Sequence, residues 1–88
     1  MINDSYKIVI TNSAQKEIRD LQKADAQRVV SAISSLSITH RPSGCKKLIA
    51  SKNTYRIRIG NYRVLYLIED SIRIVEISGV KHRREAYE

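Results

Sequence analysis

Apolar positions along this 88-residue chain change their spacing twice, and each change marks an element. Residues 6–10 (Tyr-Lys-Ile-Val-Ile) are short and β-branched and predict a first strand. Thr11, Asn12 and Ser13 then offer N-cap side chains, and Ala14, Ile18 and Leu21 recur at helical spacing, so a first helix is expected to about residue 21. Glu17 is assigned to its first turn, where the helix dipole favours an acid. Asp25 is expected to cap a second helix whose stripe is Ala26, Val29, Val30, Ile33 and Leu36, with Arg28, Ser31 and Ser35 turned away. Two helices so close in sequence read as an antiparallel hairpin.

Helical spacing fails over residues 37–44, where Pro42 and Gly44 punctuate a loop that leaves through Lys46, Lys47 and Leu48. A period of two follows. In residues 54–59 Tyr55, Ile57 and Ile59 point one way, Arg56 and Arg58 the other. Gly60-Asn61 suits a two-residue hairpin turn, since Gly at the first position takes a positive φ. Residues 62–68 are apolar on both faces except for Arg63, as a central strand requires, and Asp70-Ser71 turns the chain into a strand at 72–77. From Ser78 on, the pattern reads as a basic tail with one helical turn. The expectation is an α+β fold: one domain over residues 1–88 in the order β-α-α-β-β-β, its helical hairpin on one face of an antiparallel-rich sheet and Arg56 and Arg58 on the other.

Charge adds a location to this plan. Sixteen Lys and Arg against nine Asp and Glu give a net charge of +7, and no acid occurs from Ala26 to Ile68. That stretch carries Arg28, Arg41, Lys46, Lys47, Lys52, Arg56, Arg58 and Arg63, and a second cluster, Lys81-His82-Arg83-Arg84, follows near the C-terminus. Such a field draws polyanions, which makes nucleic acid the expected partner. Cys45 is the sole cysteine, so no intramolecular disulfide forms and a reducing compartment fits. Met1 opens no signal peptide and no run approaches a membrane span, so a soluble cytoplasmic protein with no membrane partner is expected. His40, His82, Cys45 and the scattered carboxylates show no ligand spacing, and three glycines form no phosphate loop, so neither metal nor cofactor is expected.

The run Tyr55-Arg56-Ile57-Arg58-Ile59-Gly60-Asn61-Tyr62-Arg63-Val64-Leu65-Tyr66 and the ending Lys81-His82-Arg83-Arg84-Glu85-Ala86-Tyr87, in this order behind a strand and a helix hairpin, resemble the RelE/ParE toxin superfamily over nearly the whole chain. The resemblance implies a RelE-like fold and the toxin of a type II toxin–antitoxin pair, bound by an acidic antitoxin in a hetero-oligomer. Members like RelE enter the ribosomal A site and cut messenger RNA without a metal, whereas members like ParE poison DNA gyrase without chemistry of their own. The basic sheet positions and the terminal Tyr look more like the RelE branch, with ribosome and mRNA as partners.

Metal-free RNA cleavage needs a base for the attacking 2′-hydroxyl, cations for the phosphorane, and an acid for the leaving 5′-oxygen. Arg56, Arg58 and Arg63 suit the second task, because a guanidinium grips phosphate through a bidentate fork. By resemblance, Arg63 matches the family arginine at the scissile phosphate, while Arg56 and Arg58 stand where RelE carries lysines. Arginine does not give up its proton, so the base is left open among Lys81, His82 and Glu85. Arg83 and Tyr87 complete the expected catalytic set of Arg56, Arg58, Arg63, Lys81, Arg83 and Tyr87. Lys46, Lys47, Lys52, His82 and Arg84 are expected to bind RNA. Tyr55, Tyr62 and Tyr66 are assigned to packing.

Overall fold

The computed structural model describes residues 5–48 and 52–84. Its elements are β1 (Lys7–Ile10), α1 (Asn12–Arg19), α2 (Lys23–Ser35), β2 (Lys46–Lys47), β3 (Thr54–Ile59), β4 (Tyr62–Glu69) and β5 (Ile74–His82). The strands form one five-stranded sheet in the order β1-β5-β4-β3-β2, so the first strand lies beside the last. That pair is parallel, Lys7 opposite Ile74 and Ile10 opposite Ile77, and the remaining pairs are antiparallel. The α+β plan with a helical hairpin on one sheet face holds. β2 is an addition to the expected order: two lysines show no apolar alternation, and backbone pairing to Arg56 and Tyr55 alone makes them a strand.

The helix-side face of the sheet carries Val64, Tyr66 and Ile68 of β4 with Val75, Ile77 and Val80 of β5, all buried. Ala14 of α1 and Val29, Ile33 and Leu36 at the α2 stripe close over them. Each of the Val, Leu and Ile side chains contributes about 1.5–3 kcal/mol when fully buried. Val30, expected in the stripe, is instead 46% exposed. Helix starts also differ. Thr11 caps α1, accepting from the Ala14 amide at 3.2 Å, but α2 begins at Lys23 behind Gln22, which gives no side-chain cap. Asp25 therefore sits inside the first turn, where its charge faces the positive end of the helix dipole. Glu17 lies outside the first turn of α1, which holds no acid.

The largest departure is in β5. Leu65 pairs with Gly79 and Tyr66 with Ile77, so Ser78 is the extra residue of a β-bulge, its hydroxyl donating to the Leu65 carbonyl at 3.2 Å. The bulge resets the alternation: Ile77 and Val80, three apart, both point into the core, and Lys81 points to the open face. A reader counting by two loses the strand at Ile77, which is why the expected tail with a helical turn is a strand through His82. At the other end of β5, Arg73 takes φ +56 in the turn, so the strand starts at Ile74 and not at residue 72.

The 37–45 loop is pinned to the sheet by a polar cluster. The Tyr66 hydroxyl donates to the His40 carbonyl at 3.0 Å, and burial pushes its pKa above the ordinary tyrosine range. The His40 ring stacks on Tyr6 at 3.7 Å, Tyr6 donates to Asp70 at 2.8 Å, and Arg41 bonds Asp70 at 2.9 Å and the Tyr55 hydroxyl at 3.1 Å. Arg41, and after it Tyr6, hold the Asp70 carboxyl below its ordinary value. A carboxyl lowered in the fold stabilises above its unfolded value, about 3.9, and that stabilisation fades as pH falls through the lower folded value. Asp70→Asn is accordingly expected to lower the urea midpoint at pH 7, with the difference from wild type disappearing as the titration is repeated toward pH 2.

Candidate nucleic-acid interface

Strand register sorts the basic residues. On the open face Lys46, Arg56, Leu65 and Gly79 form one row across β2, β3, β4 and β5, and Arg58, Arg63 and Lys81 form the next. Three cations directly opposite one another oppose folding, since like-charged cross-strand pairs destabilise a sheet. The arrangement suits an anion that arrives from outside. Beside this row lies a concavity of about 510 Å³ lined by Arg58, Gly60, Arg63, Arg83 and Arg84. Two backbone ties hold its far wall: the Arg83 amide donates to the Asn61 carbonyl at 2.8 Å, and the Arg84 amide to His82 Nδ1 at 3.2 Å.

Five of the expected residues thus converge: Arg58, Arg63, Lys81, Arg83 and Arg84. Others stand apart. Arg56 shares the open face but is only 5% exposed, so Arg58 carries the accessible part of the cationic floor. His82 is the register partner of Tyr62 and packs edge-on against its ring, centroids 5.4 Å apart, on the helix-side face. Its Nδ1 is occupied by the Arg84 amide, and the ring positions the wall of the concavity without lining it. Lys46 lies exposed on the open face of the β2 edge, Lys47 on the opposite face beside Tyr55, and Lys52 is exposed just ahead of β3. Glu85 and Tyr87 fall outside the described residues. The tyrosines pack as expected, Tyr66 buried and stacked on Tyr55 at 5.9 Å.

Among the described residues, one acid, Glu17, reaches this end of the sheet. β1 stops opposite Ile77, leaving the upper half of β5 without a strand partner on that side, and α1 runs alongside it. Glu17 fills the gap: one carboxylate oxygen accepts from the Val80 amide at 2.8 Å, and the other bonds the Lys81 ammonium. Lys81, one of the three candidates for the base, is thereby fixed beside Arg63. The signal was legible, for Ala14, Glu17, Ile18 and Leu21 share one helix face, and a carboxylate on an apolar stripe implies a partner. Glu17→Ala is expected to cost about 1–2 kcal/mol in urea unfolding, chiefly because the buried Val80 amide loses its acceptor. The ion pair itself adds little, since the Lys81 side chain is 39% exposed. Glu17→Gln keeps an acceptor and is expected to retain most of the stability.

Among the described residues no three His, Cys, Asp or Glu side chains converge, and no helix is long and apolar enough to cross a membrane.

Comparison with known proteins gives a consistent result. The family described as ParE toxin of type II toxin-antitoxin system, parDE, matches residues 8–87. A relative named toxin RelE1 from Methanocaldococcus jannaschii is 28% identical over 85 residues, covering 93% of this chain and 94% of its own. Among solved structures, the RelBE2 toxin–antitoxin complex of Mycobacterium tuberculosis contains a chain 30% identical with a TM-score of 0.78, covering 90% of this chain and 99% of that one. A chain of the archaeal RelE–RelB complex of Pyrococcus horikoshii is 26% identical with a TM-score of 0.82, covering 93% and 99%.

Proposed function

This chain belongs to the ParE toxin family of type II toxin–antitoxin systems, within the RelE/ParE superfamily, and we propose that it acts in the RelE manner, as a ribosome-dependent endoribonuclease that cuts messenger RNA in the A site and stops translation. The observation that carries this reading is the row Arg58–Arg63–Lys81 opening on a concavity walled by Arg83 and Arg84. A phosphodiester in that concavity meets guanidinium groups where negative charge grows as the 2′-oxygen bonds to phosphorus. The 2′-hydroxyl proton leaves to a base, the phosphorus–O5′ bond breaks, and O5′ takes a proton from an acid. Lys81, held by Glu17, fits the acid. Tyr87 stacks on a splayed base or assists proton transfer. Of the three candidates for the base, Lys81 is taken by the acid role and His82 is turned to the helix side with Nδ1 occupied, which favours Glu85.

An acidic antitoxin is the proposed partner, laying an amphipathic segment over the cationic face in a cytoplasmic hetero-oligomer. Support comes from the net charge of +7 and from the relatives above, whose structures are toxin–antitoxin complexes. Toe-printing of a translated message with the purified chain tests the catalytic reading. Cuts positioned by codon on ribosome-bound message are expected. The second reading, a DNA-gyrase poison, draws on the ParE description of the matching family and on Arg56 and Arg58, which supply cations but no base. Uncut message together with accumulating DNA breaks would establish it in place of the first.

A further inference from the structure

The hairpin tip at Gly60-Asn61 separates the concavity on the open face from the exposed side of α2. Gly60 belongs to both sides. It lines the concavity, and from the other side the Arg28 guanidinium lies so close that a β-carbon on Gly60 would stand 3.2 Å from Nη1 and 3.4 Å from Nη2. With φ +58 and no side chain, Gly60 lets that guanidinium rest against the backbone of the turn. Arg28 is exposed and makes no ion pair among the described residues. It also lines a shallow groove on α2 together with Ala24, Gln27, Ser31, Ala32 and Ile59. The arginines therefore do not end with the sheet. They continue from Arg63 and Arg58 past the tip to a fifth guanidinium carried by a helix.

We propose that Arg28 is a backbone contact for single-stranded RNA, holding a phosphate on the helix side of the Gly60-Asn61 tip while Arg58, Arg63, Arg83 and Arg84 hold others on the open-face side. The inference rests on the reading that the concavity takes RNA, and it extends the binding track beyond the bond that is cut. A single strand is flexible enough to bend round a two-residue hairpin tip. An A-form duplex is stiff, and its deep, narrow major groove does not admit side chains, so it meets only one side of the tip. Arg28 touches no reacting atom in this arrangement; its contribution is to affinity and to the path of the strand.

The test is fluorescence anisotropy of the full chain with a short 2′-O-methyl RNA, which binds without being cut, titrated across a range of salt. Each phosphate contact on a single strand adds about 0.7 to the slope of log affinity against log salt, so Arg28→Gln is expected to flatten the slope by about 0.7 and to bind about fourfold more weakly at 0.15 M salt. Arg19→Gln, at an exposed position on α1 away from the concavity, is expected to leave the slope unchanged, and both variants are checked for wild-type melting. Wild-type slope and affinity in Arg28→Gln would overturn the proposal, as would an equal loss on a duplex of the same sequence or a loss confined to an acidic antitoxin peptide. If the wild-type chain does not bind the strand at all, the RNA reading of the concavity falls along with it. Binding that ignores Arg28 strikes only the extended track.

Discussion

Arg63→Ala is expected to lower cleavage of ribosome-bound message by about 10²–10³-fold, the loss typical when one preorganised charge-stabilising group is removed. Arg63 is the middle member of its row, opposite Arg58 on one side and Lys81 on the other, and it lines the concavity. Arg63→Lys keeps the charge and loses the bidentate fork, so it is expected to recover only part of the rate. A rate that follows first the charge and then the fork, at equal concentrations of folded protein, is a response that a merely structural arginine would not give. In cells, induction of the unpartnered chain is expected to arrest translation, and Arg63→Ala to lift the arrest. An Arg63→Ala variant that still cuts at the wild-type rate would place the chemistry elsewhere on the molecule.

Inserting one alanine between Gly79 and Val80 is expected to have the larger structural effect. The bulge already takes up one residue at Ser78 and leaves Ile77 and Val80 in the core, so one more residue turns Val80 to the open face and Lys81 into the core. Exposing Val80 forfeits about 1.5–3 kcal/mol, and burying an ammonium away from Glu17 costs several more. Against a total stability on the order of 5–10 kcal/mol for a domain of this size, the insertion is expected to abolish cooperative unfolding in urea. Deleting Ser78 is the control. It removes the extra residue and the bond from its hydroxyl to the Leu65 carbonyl, about 0.5–1.5 kcal/mol, yet keeps Gly79 opposite Leu65 and Lys81 opposite Arg63. An insertion variant with a native-like amide spectrum and an intact melt would show that a second bulge absorbs the added residue.

The same bulge explains what could be read from the residues and what could not. Strands with strict alternation, such as Thr54–Ile59, and the helix stripe of Val29, Ile33 and Leu36 declare their faces through period alone. So does the turn at Gly60, where only a positive φ closes a two-residue loop. Past Ile77 the period breaks by one, and the residues that continue the strand look like a charged tail. β2 is invisible for a different reason: Lys46 and Lys47 bury no apolar face, and their strand exists only through backbone bonds to β3. At the site, Arg58, Arg63, Arg83 and Arg84 are suggested by charge, but only burial in the folded sheet separates accessible Arg58 from Arg56 on the same face, and only register puts His82 on the opposite face from Lys81. Glu17 and Arg28 come from the helices. They reach the sheet through tertiary packing, and the spacing of one helix does not say which strand end lies beneath it.

The parallel pairing of β1 with β5 bears on when the cationic site comes into being. Lys7 through Ile10 find their partners only in Ile74 through Ile77, close to the end of the chain, and Lys81 lies beyond them on the same strand. Contacts this distant in sequence form late in folding. A nascent chain therefore exposes β3 and β4 with Arg58 and Arg63 before it has the strand that supplies Lys81, the Arg83 and Arg84 that follow it, or the edge that Glu17 seals. The cationic row is therefore assembled only after synthesis has passed β5, and a chain halted before that strand holds Arg58 and Arg63 without the residue opposite them.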